Sequence, residues 1–393
     1  MLPGCSTFAQ NITMKWRKYT TEELNKRVFS ALEKNVSYVD AIILGIPASY
    51  LDEKVFSQDS TLLKDAPFLS TMVQNPNHIG CHTMGNSESF FKGTQEIEKE
   101  LIEICSEDIL KGEPGQFDGY VASGGTEANL QAMWIYRNFF MKERGAKPSE
   151  IAILCSSDSH YSMDKGANIL GISIYKVETD DNTKELLPTS IEEKIALAKS
   201  EGISYFIVVA NMMTTMFGSV DDPDLYTDRL ISAGVEFKLH IDGAYGGFYF
   251  PFSNKESKLN FSNPHVSSVT LDAHKMAQAP YGTGIILIRK GLISYANTKT
   301  ASYVEGEDCT MIGSRSGANA IAAWMILSKY GANGWFEKIF ILQKRTDWLC
   351  DQLDELGLDY FRNPHSNIVT IRSSSITHEL ASKYYLVPDN HHE

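Results

Sequence analysis

An α/β architecture built on a mainly parallel sheet, with an N-terminal helical arm and a small C-terminal αβ domain, is the fold that this 393-residue sequence predicts. Two observations carry the expectation. From about residue 118, short apolar runs alternate with longer stretches of helical periodicity, and strands alternating with helices make a parallel sheet covered on both faces. The two ends of the chain lack that alternation, which sets them apart from the sheet.

The elements follow in order. The first 75 residues read as two helical segments and a loop, an arm outside the sheet. "YVAS" (120–123) is a strand, followed by a helix from about Glu127 to Glu143 and the strand "EIAILCS". The polar helix "SIEEKIALAKSEG" leads into the strand "SYFIVVA", and the helix "LYTDRLISAG" leads into the strand "EFKLHID". "SSVTLDAHKMAQAPYGTG" contains a β-prone run, then His274, Lys275 and a turn rich in Pro and Gly, with a second apolar run, "IILI", beyond. Past Arg315, "NAIAAWMILSKYG" and "WFEKIFILQKRTDWLCDQLDELG" are helical, and "NIVTIRSS" is a strand opening a small domain. The expected boundaries are 1–60 for the arm, 61–313 for the large domain, and 314–393 for connecting helices and a small domain that reads as short.

Composition narrows the function classes. An apolar content of 43% and a charged content of 22% suit an ordinary globular protein with a sizeable core. A net charge of −13 with no basic run argues against nucleic acid as partner. No apolar run reaches the roughly 20 residues of a membrane helix, and the N-terminus lacks the apolar stretch of a secretory leader. The six cysteines are dispersed with no CxxC pair, and the histidines lack metal-binding spacing, so the expectation is a cytoplasmic protein with reduced thiols and no metal.

Several strand ends carry residues with chemical potential. "SGGTEAN" sets Gly124, Gly125 and Thr126 between a strand and a helix, where free N–H groups and the helix dipole suit a phosphate, although any tight strand-to-helix turn also uses glycine. Asp242 ends a strand in "HIDGAYGG", where a lone Asp more often caps a helix. His160 follows a strand in "DSHYSMDKGA", where a lone His is more often a structural hydrogen-bonder. Lys275 sits at the end of a buried-type strand, and a desolvated lysine amine forms imines. Singly these are weak. Together, a phosphate cradle, a ring-sized residue, a carboxylate and an imine-forming lysine are the set that pyridoxal 5′-phosphate (PLP) needs.

With "TTMFGSVDD" and "DAHKM", these motifs resemble, in order from about Asn75 to Gly317, those of the group II PLP-dependent amino acid decarboxylases. The resemblance implies the PLP-dependent transferase fold type I and α-decarboxylation of an L-amino acid to its amine and CO₂. It implies that Lys275 carries the cofactor as an imine, with His274 near the phosphate. Asp242 would pair with the ring nitrogen, Ala244 would pack on one ring face, and His160 on the other. Gly125 and Thr126 would hold the phosphate, and Thr215 would approach the 3′-oxygen. Ser314 resembles a serine that reaches the partner subunit's phosphate, which implies a homodimer whose arm clasps the other chain. In several members a tyrosine on a loop beyond the lysine protonates Cα, and Tyr303 holds that position. His78 and His82, in "PNHIGCHTMG", are candidates for reading the substrate side chain.

Two departures stand out: Met213 occupies a position where many members have glycine, and the C-terminus stops early. The alternatives are a Cα–Cβ lyase resembling sphingosine phosphate lyase, an aminotransferase, for which Arg372 is the candidate carboxylate-binding arginine, and a non-enzymatic binding or scaffold protein of the same fold, which the full set of cofactor positions argues against.

Overall fold

The computed structural model describes residues 15–36, 77–79, 85, 89–298 and 307–387, with backbone alone at 77–79. Helix α1 (Thr21–Leu32) opens with a reciprocal cap. The Glu23 amide donates to Thr20 Oγ1 at 3.2 Å, and the Thr20 amide donates to Glu23 Oε2 at 2.7 Å. Such a cap is worth about 1 kcal/mol. Strand β1 (Asn77–Ile79) and helix α2 (Lys92–Glu103) follow.

The central unit begins at β2 (Phe117–Ala122), followed by α3 (Gly125–Arg144), β3 (Ile151–Ser156), α4 (Ser162–Leu170) and β4 (Ser173–Val177). It continues through α5 (Pro188–Ser200), β5 (Tyr205–Asn211), α6 (Pro223–Ser232), β6 (Glu236–Gly243), β7 (Val266–Asp272) and β8 (Gly284–Arg289). The seven strands lie in the order β2-β8-β7-β6-β5-β3-β4, and only β8 runs against its neighbours. The alternation of apolar runs and helices therefore led to the right class of sheet. Because β8 is reversed, its first residue lies level with the last residues of the others: Gly284 pairs with both Ala122 and Asp272. Likewise Asn211 pairs with Asp242. One edge of the sheet thus collects the carboxyl ends of the parallel strands, the place where open α/β sheets bind ligands.

Beyond the sheet come β9 (Ser314–Ser316), paired antiparallel with β1, and the long helix α7 (Gly317–Glu355). The two helices expected from sequence meet inside α7 at Gly331, whose φ of 62° and ψ of 176° break the helix. A Cβ there would stand 2.6 Å from the Lys18 nitrogen, so glycine lets the N-terminal segment cross closely. The C-terminal strand expected over "NIVTIRSS" is realised only as β11 (Thr370–Ile371), paired with β10 (Tyr360–Phe361), before a last helix α8 (His378–Tyr384).

The arm, residues 1 to about 60, was expected to bury apolar faces on a partner chain; within its described part, residues 15–36, much of the apolar face packs on this chain. Trp16, Leu24, Val28 and Ala31 join the main hydrophobic cluster, and Trp16 Nε1 donates to the Leu327 carbonyl at 2.8 Å. A fully buried apolar side chain such as Leu gains about 1.5–3 kcal/mol from leaving water, which holds this part of the arm on the core. The second helical segment expected in the arm lies outside the described residues. No described helix is long and apolar enough to cross a membrane.

Candidate active site

The carboxyl edge of the sheet opens into a cavity of about 410 Å³. Its lining includes Gly125, Thr126, His160, Thr215, Asp242, Ala244, His274 and Lys275. Eight residues singled out from five separate strand ends thus meet in one cleft. The reason is topological: β2, β3, β5, β6 and β7 end at the same edge, and each hands the chain to a loop or helix there.

At the α3 end, Gly124 has no side chain to cap the helix, so the first amides of α3 are left for a ligand. A Cβ on Gly125 would stand 2.7 Å from Asp272 Oδ2 and 3.1 Å from the Ala244 Cβ, so glycine is required for this close approach. After β7, Lys275 turns back so that Nζ lies 3.0 Å from Asp272 Oδ2, and His274 Nε2 is 3.7 Å from the same oxygen. Burial raises the Asp272 pKa, against the opposing pull of Lys275 and His274. Asp272 Oδ1 and His274 Nδ1 are buried and have no hydrogen-bond partner among the described residues. Unpaired buried polar atoms are costly; His274 Nδ1, as a donor, and the uncapped helix N-terminus match a group that brings its own oxygens, whereas the acceptor-only Asp272 Oδ1 calls for a donor. A cofactor phosphate with an imine-forming aldehyde fits this donor set.

Asp242 ends β6 with both carboxylate oxygens occupied by N–H donors. The Ala244 amide donates to Oδ1 at 3.1 Å, and Asn129 Nδ2 donates to Oδ2 at 2.9 Å. His160 Nδ1 accepts from the Ser162 amide at 3.2 Å and lies 2.9 Å from Ser162 Oγ. A backbone N–H can only donate, so the ring is neutral with its hydrogen on Nε2. Burial lowers the His160 pKa in the same sense, although the Asp242 charge opposes it.

Other expected residues fall elsewhere. Ser314 is exposed on β9 and does not line the cleft. Next to it, Arg315 Nη1 donates to the buried Glu98 Oε1 at 2.5 Å, which fixes this strand against α2. His78 lies on β1 with its backbone opposite Arg315. His82 and Tyr303 lie outside the described residues. Arg372 is exposed, donates to Asn182 Oδ1 at 3.1 Å, and does not line the cleft.

Sequence reasoning missed Asp272, Asn129 and Asn211, all of which line the cleft. Each lies within or beside a strand-end run that was read for another residue, but only the strand order shows which side chains meet. Met213, the residue in place of glycine, also lines the cleft and holds a left-handed φ of 69°. That conformation is uncommon for a residue with a side chain.

Comparison with known proteins agrees with this geometry. The pyridoxal-dependent decarboxylase conserved domain matches residues 96–355. The chain is 51% identical over 376 residues to tryptophan decarboxylase of Clostridium sporogenes, covering 96% of this chain and 90% of that protein. It is 30% identical over 356 residues to a probable L-tyrosine/L-aspartate decarboxylase of Methanocella arvoryzae, covering 87% and 91%. Among solved structures, L-methionine decarboxylase from Streptomyces sp. 590 superposes with a TM-score of 0.69 at 19% identity, covering 93% of this chain and 86% of that one, which supports the fold.

Proposed function

The chain belongs to the pyridoxal-dependent decarboxylase family, a PLP-dependent group of amino acid decarboxylases, and from that premise we propose that it decarboxylates an aromatic L-amino acid, tryptophan foremost. The observation that carries the substrate class is the cleft lining. It contains Tyr161, Tyr245, Tyr281 and Met213 but no arginine among the described residues. An acidic side chain such as that of aspartate or glutamate would want an arginine fork, whereas an indole or phenol suits aromatic and thioether walls. The name of the clostridial relative supports the same reading.

When bound, PLP supplies an aldehyde for imine formation and a ring that accepts the electron pair left as CO₂ departs. The chain's residues do the rest. Gly125 and Thr126 hold the phosphate with the α3 N-terminus, and His274 lies near it. Lys275 would hold the cofactor's aldehyde carbon through Nζ, its oxygen leaving as water, and Asp272, 3.0 Å from Nζ, is placed to receive the proton the ammonium must lose. Asp242 keeps a proton on the ring nitrogen. Ala244 and His160 would confine the two ring faces, and Thr215 would lie toward the 3′-oxygen. Tyr303 delivers the proton to Cα, and His78 and His82 contribute to substrate recognition. The exposed Ser314 serves the partner's phosphate, so the active unit is a homodimer. A cytoplasmic location is part of the same reading: among the described residues Cys105, Cys155, Cys309 and Cys350 are buried and form no disulfide, as suits a chain that does not depend on oxidised cysteines.

The test is a screen of the common L-amino acids with PLP-loaded protein, measuring CO₂ and amine. Tryptophan should give tryptamine with the highest kcat/KM. A preference for aspartate or glutamate would refute the substrate class, and carbonyl product in place of CO₂ and amine would refute the reaction.

A further inference from the structure

Asp242 is the end of a buried chain of hydrogen bonds whose direction can be deduced. Asn129 lies one turn beyond Gly125 on α3, so the same helix face that forms the phosphate end also reaches the sheet. Its amide is fully used: Nδ2 donates to Asp242 Oδ2 at 2.9 Å and to Ser162 Oγ at 3.1 Å, and Oδ1 accepts from His240 Nε2 at 2.9 Å. His240, on β6, has its other nitrogen 2.6 Å from Ser268 Oγ on β7. Tyr136, farther along α3, donates its hydroxyl to that same Ser268 oxygen. Thr270 Oγ1, 3.2 Å from His240 Nε2, is a second acceptor.

The polarity follows from the two ends. Burial raises the pKa of Tyr136, which stays protonated and donates. Ser268 then donates to His240 Nδ1, and His240 carries its hydrogen on Nε2 toward Asn129 Oδ1. The Asn129 Nδ2 group is left facing Asp242. Turning the amide over would press Oδ1 against the carboxylate, and the other histidine tautomer would press a lone pair against Oδ1. His240 is wholly buried and its pKa is pulled down to about 4 by burial, so it stays neutral in this position. Asp242, itself only 7% exposed, receives two N–H donors and, among the described residues, pairs with no lysine or arginine. The arrangement stabilises a carboxylate and leaves its counter-cation to come from a ligand.

We propose that Asn129 and His240 are positioning residues that hold Asp242 as an ionised acceptor toward the cofactor's ring nitrogen, and that Asn129, through Ser162, ties this setting to His160. The proposal rests on the reading that Asp242 pairs with that nitrogen. It assigns a positioning role to Asn129, at the cleft wall, and to His240, buried in the layer behind it.

The full-length protein loaded with PLP labelled with ¹⁵N at the ring nitrogen gives the test. The parent should show a pyridinium shift. Asn129→Leu should move it toward neutral pyridine, and His240→Leu should move it in the same direction. His240→Gln, which keeps a donor toward Asn129 Oδ1, should restore the parent value. A parent-like shift in folded, loaded Asn129→Leu overturns the proposal, as does His240→Gln behaving like His240→Leu. A second measurement needs no variant and decides the matter if substitutions unfold the chain. In ¹⁵N-histidine-labelled parent protein, His240 should be neutral with its hydrogen on Nε2 from about pH 5 to 9; an imidazolium or the Nδ1–H tautomer overturns the chain of donors. A neutral ring nitrogen in the parent itself would instead refute the Asp242 pairing, and the tautomer measurement would separate the two failures.

Discussion

The two faces of strands β6 and β7 are equally buried and chemically opposite. Toward one side, Leu239, Ile241, Val269 and Leu271 are wholly removed from water and merge with the larger apolar cluster. Toward the other, beneath α3, the same strands bury His240, Asp242, Ser268 and Thr270. The register sets like beside like: Ile241 pairs with Val269, His240 with Ser268, and Asp242 with Thr270. The apolar face gains from burial itself. The polar face is stable only because each donor meets an acceptor, since an unpaired buried polar group costs about 1–3 kcal/mol. What the contrast teaches is that these two strands divide their labour by alternation, one face securing the fold and the other preparing a carboxylate at the cleft.

That division can be attacked from either side. The largest effect should come at the cleft: Lys275→Ala should abolish turnover and the roughly 420 nm absorbance typical of PLP imines, while the apoprotein still folds. Turnover retained by this variant would remove Lys275 from the role. Asp242→Asn should keep the fold and bound PLP yet lower kcat by about 100-fold or more, equivalent to about 2.7 kcal/mol of barrier. Near-parent rates would show that the carboxylate is only structural. On the opposite face, Ile241→Ala should reverse the pattern, destabilising the protein by about 2–5 kcal/mol through a cavity, with kcat in the still-folded enzyme changed far less than by Asp242→Asn. Denaturant unfolding together with kinetics on the same sample would check both halves.

The smallest effect is a pH dependence. In the folded chain His240 has its pKa depressed from 6.5 to about 4, so its contribution to stability is present above pH 6.5 and is lost as pH falls from there toward about 4. His240→Gln has nothing to protonate. Apoprotein melts should therefore decline less steeply between pH 6.5 and 4 in this variant than in the parent, and parallel declines would contradict the assignment.

Much of this was legible in the sequence, for definite reasons. Strands such as β3 and β5 are continuous apolar runs bounded by helices, so their order along the chain already implied a parallel sheet and a cleft at their carboxyl ends. Strand β4, at the sheet edge, escaped notice because its burial is partial and its apolar signal weak. The small C-terminal sheet was expected to be longer than the two-residue strands that form. The arm's apolar face was assigned to a partner because sequence shows that a face needs covering, not what covers it; for the described residues 15–36, α2 and the crossing at Gly331 provide cover within the chain. Gly125, His160, Asp242 and Lys275 were identifiable because each residue type matches one requirement of a single cofactor. Asn129 and His240 were not, since an amide and an imidazole inside a motif acquire meaning only when α3 is laid across β6.

The central claim is that the cleft binds PLP through Lys275 at the edge prepared by the polar face. Borohydride reduction of the loaded protein, followed by proteolysis and mass spectrometry of the modified peptide, tests it most directly. The account predicts stoichiometric phosphopyridoxyl label on Lys275 of the "DAHKM" peptide and on no other lysine. Label at a different lysine, with Lys275 recovered unmodified, would contradict it.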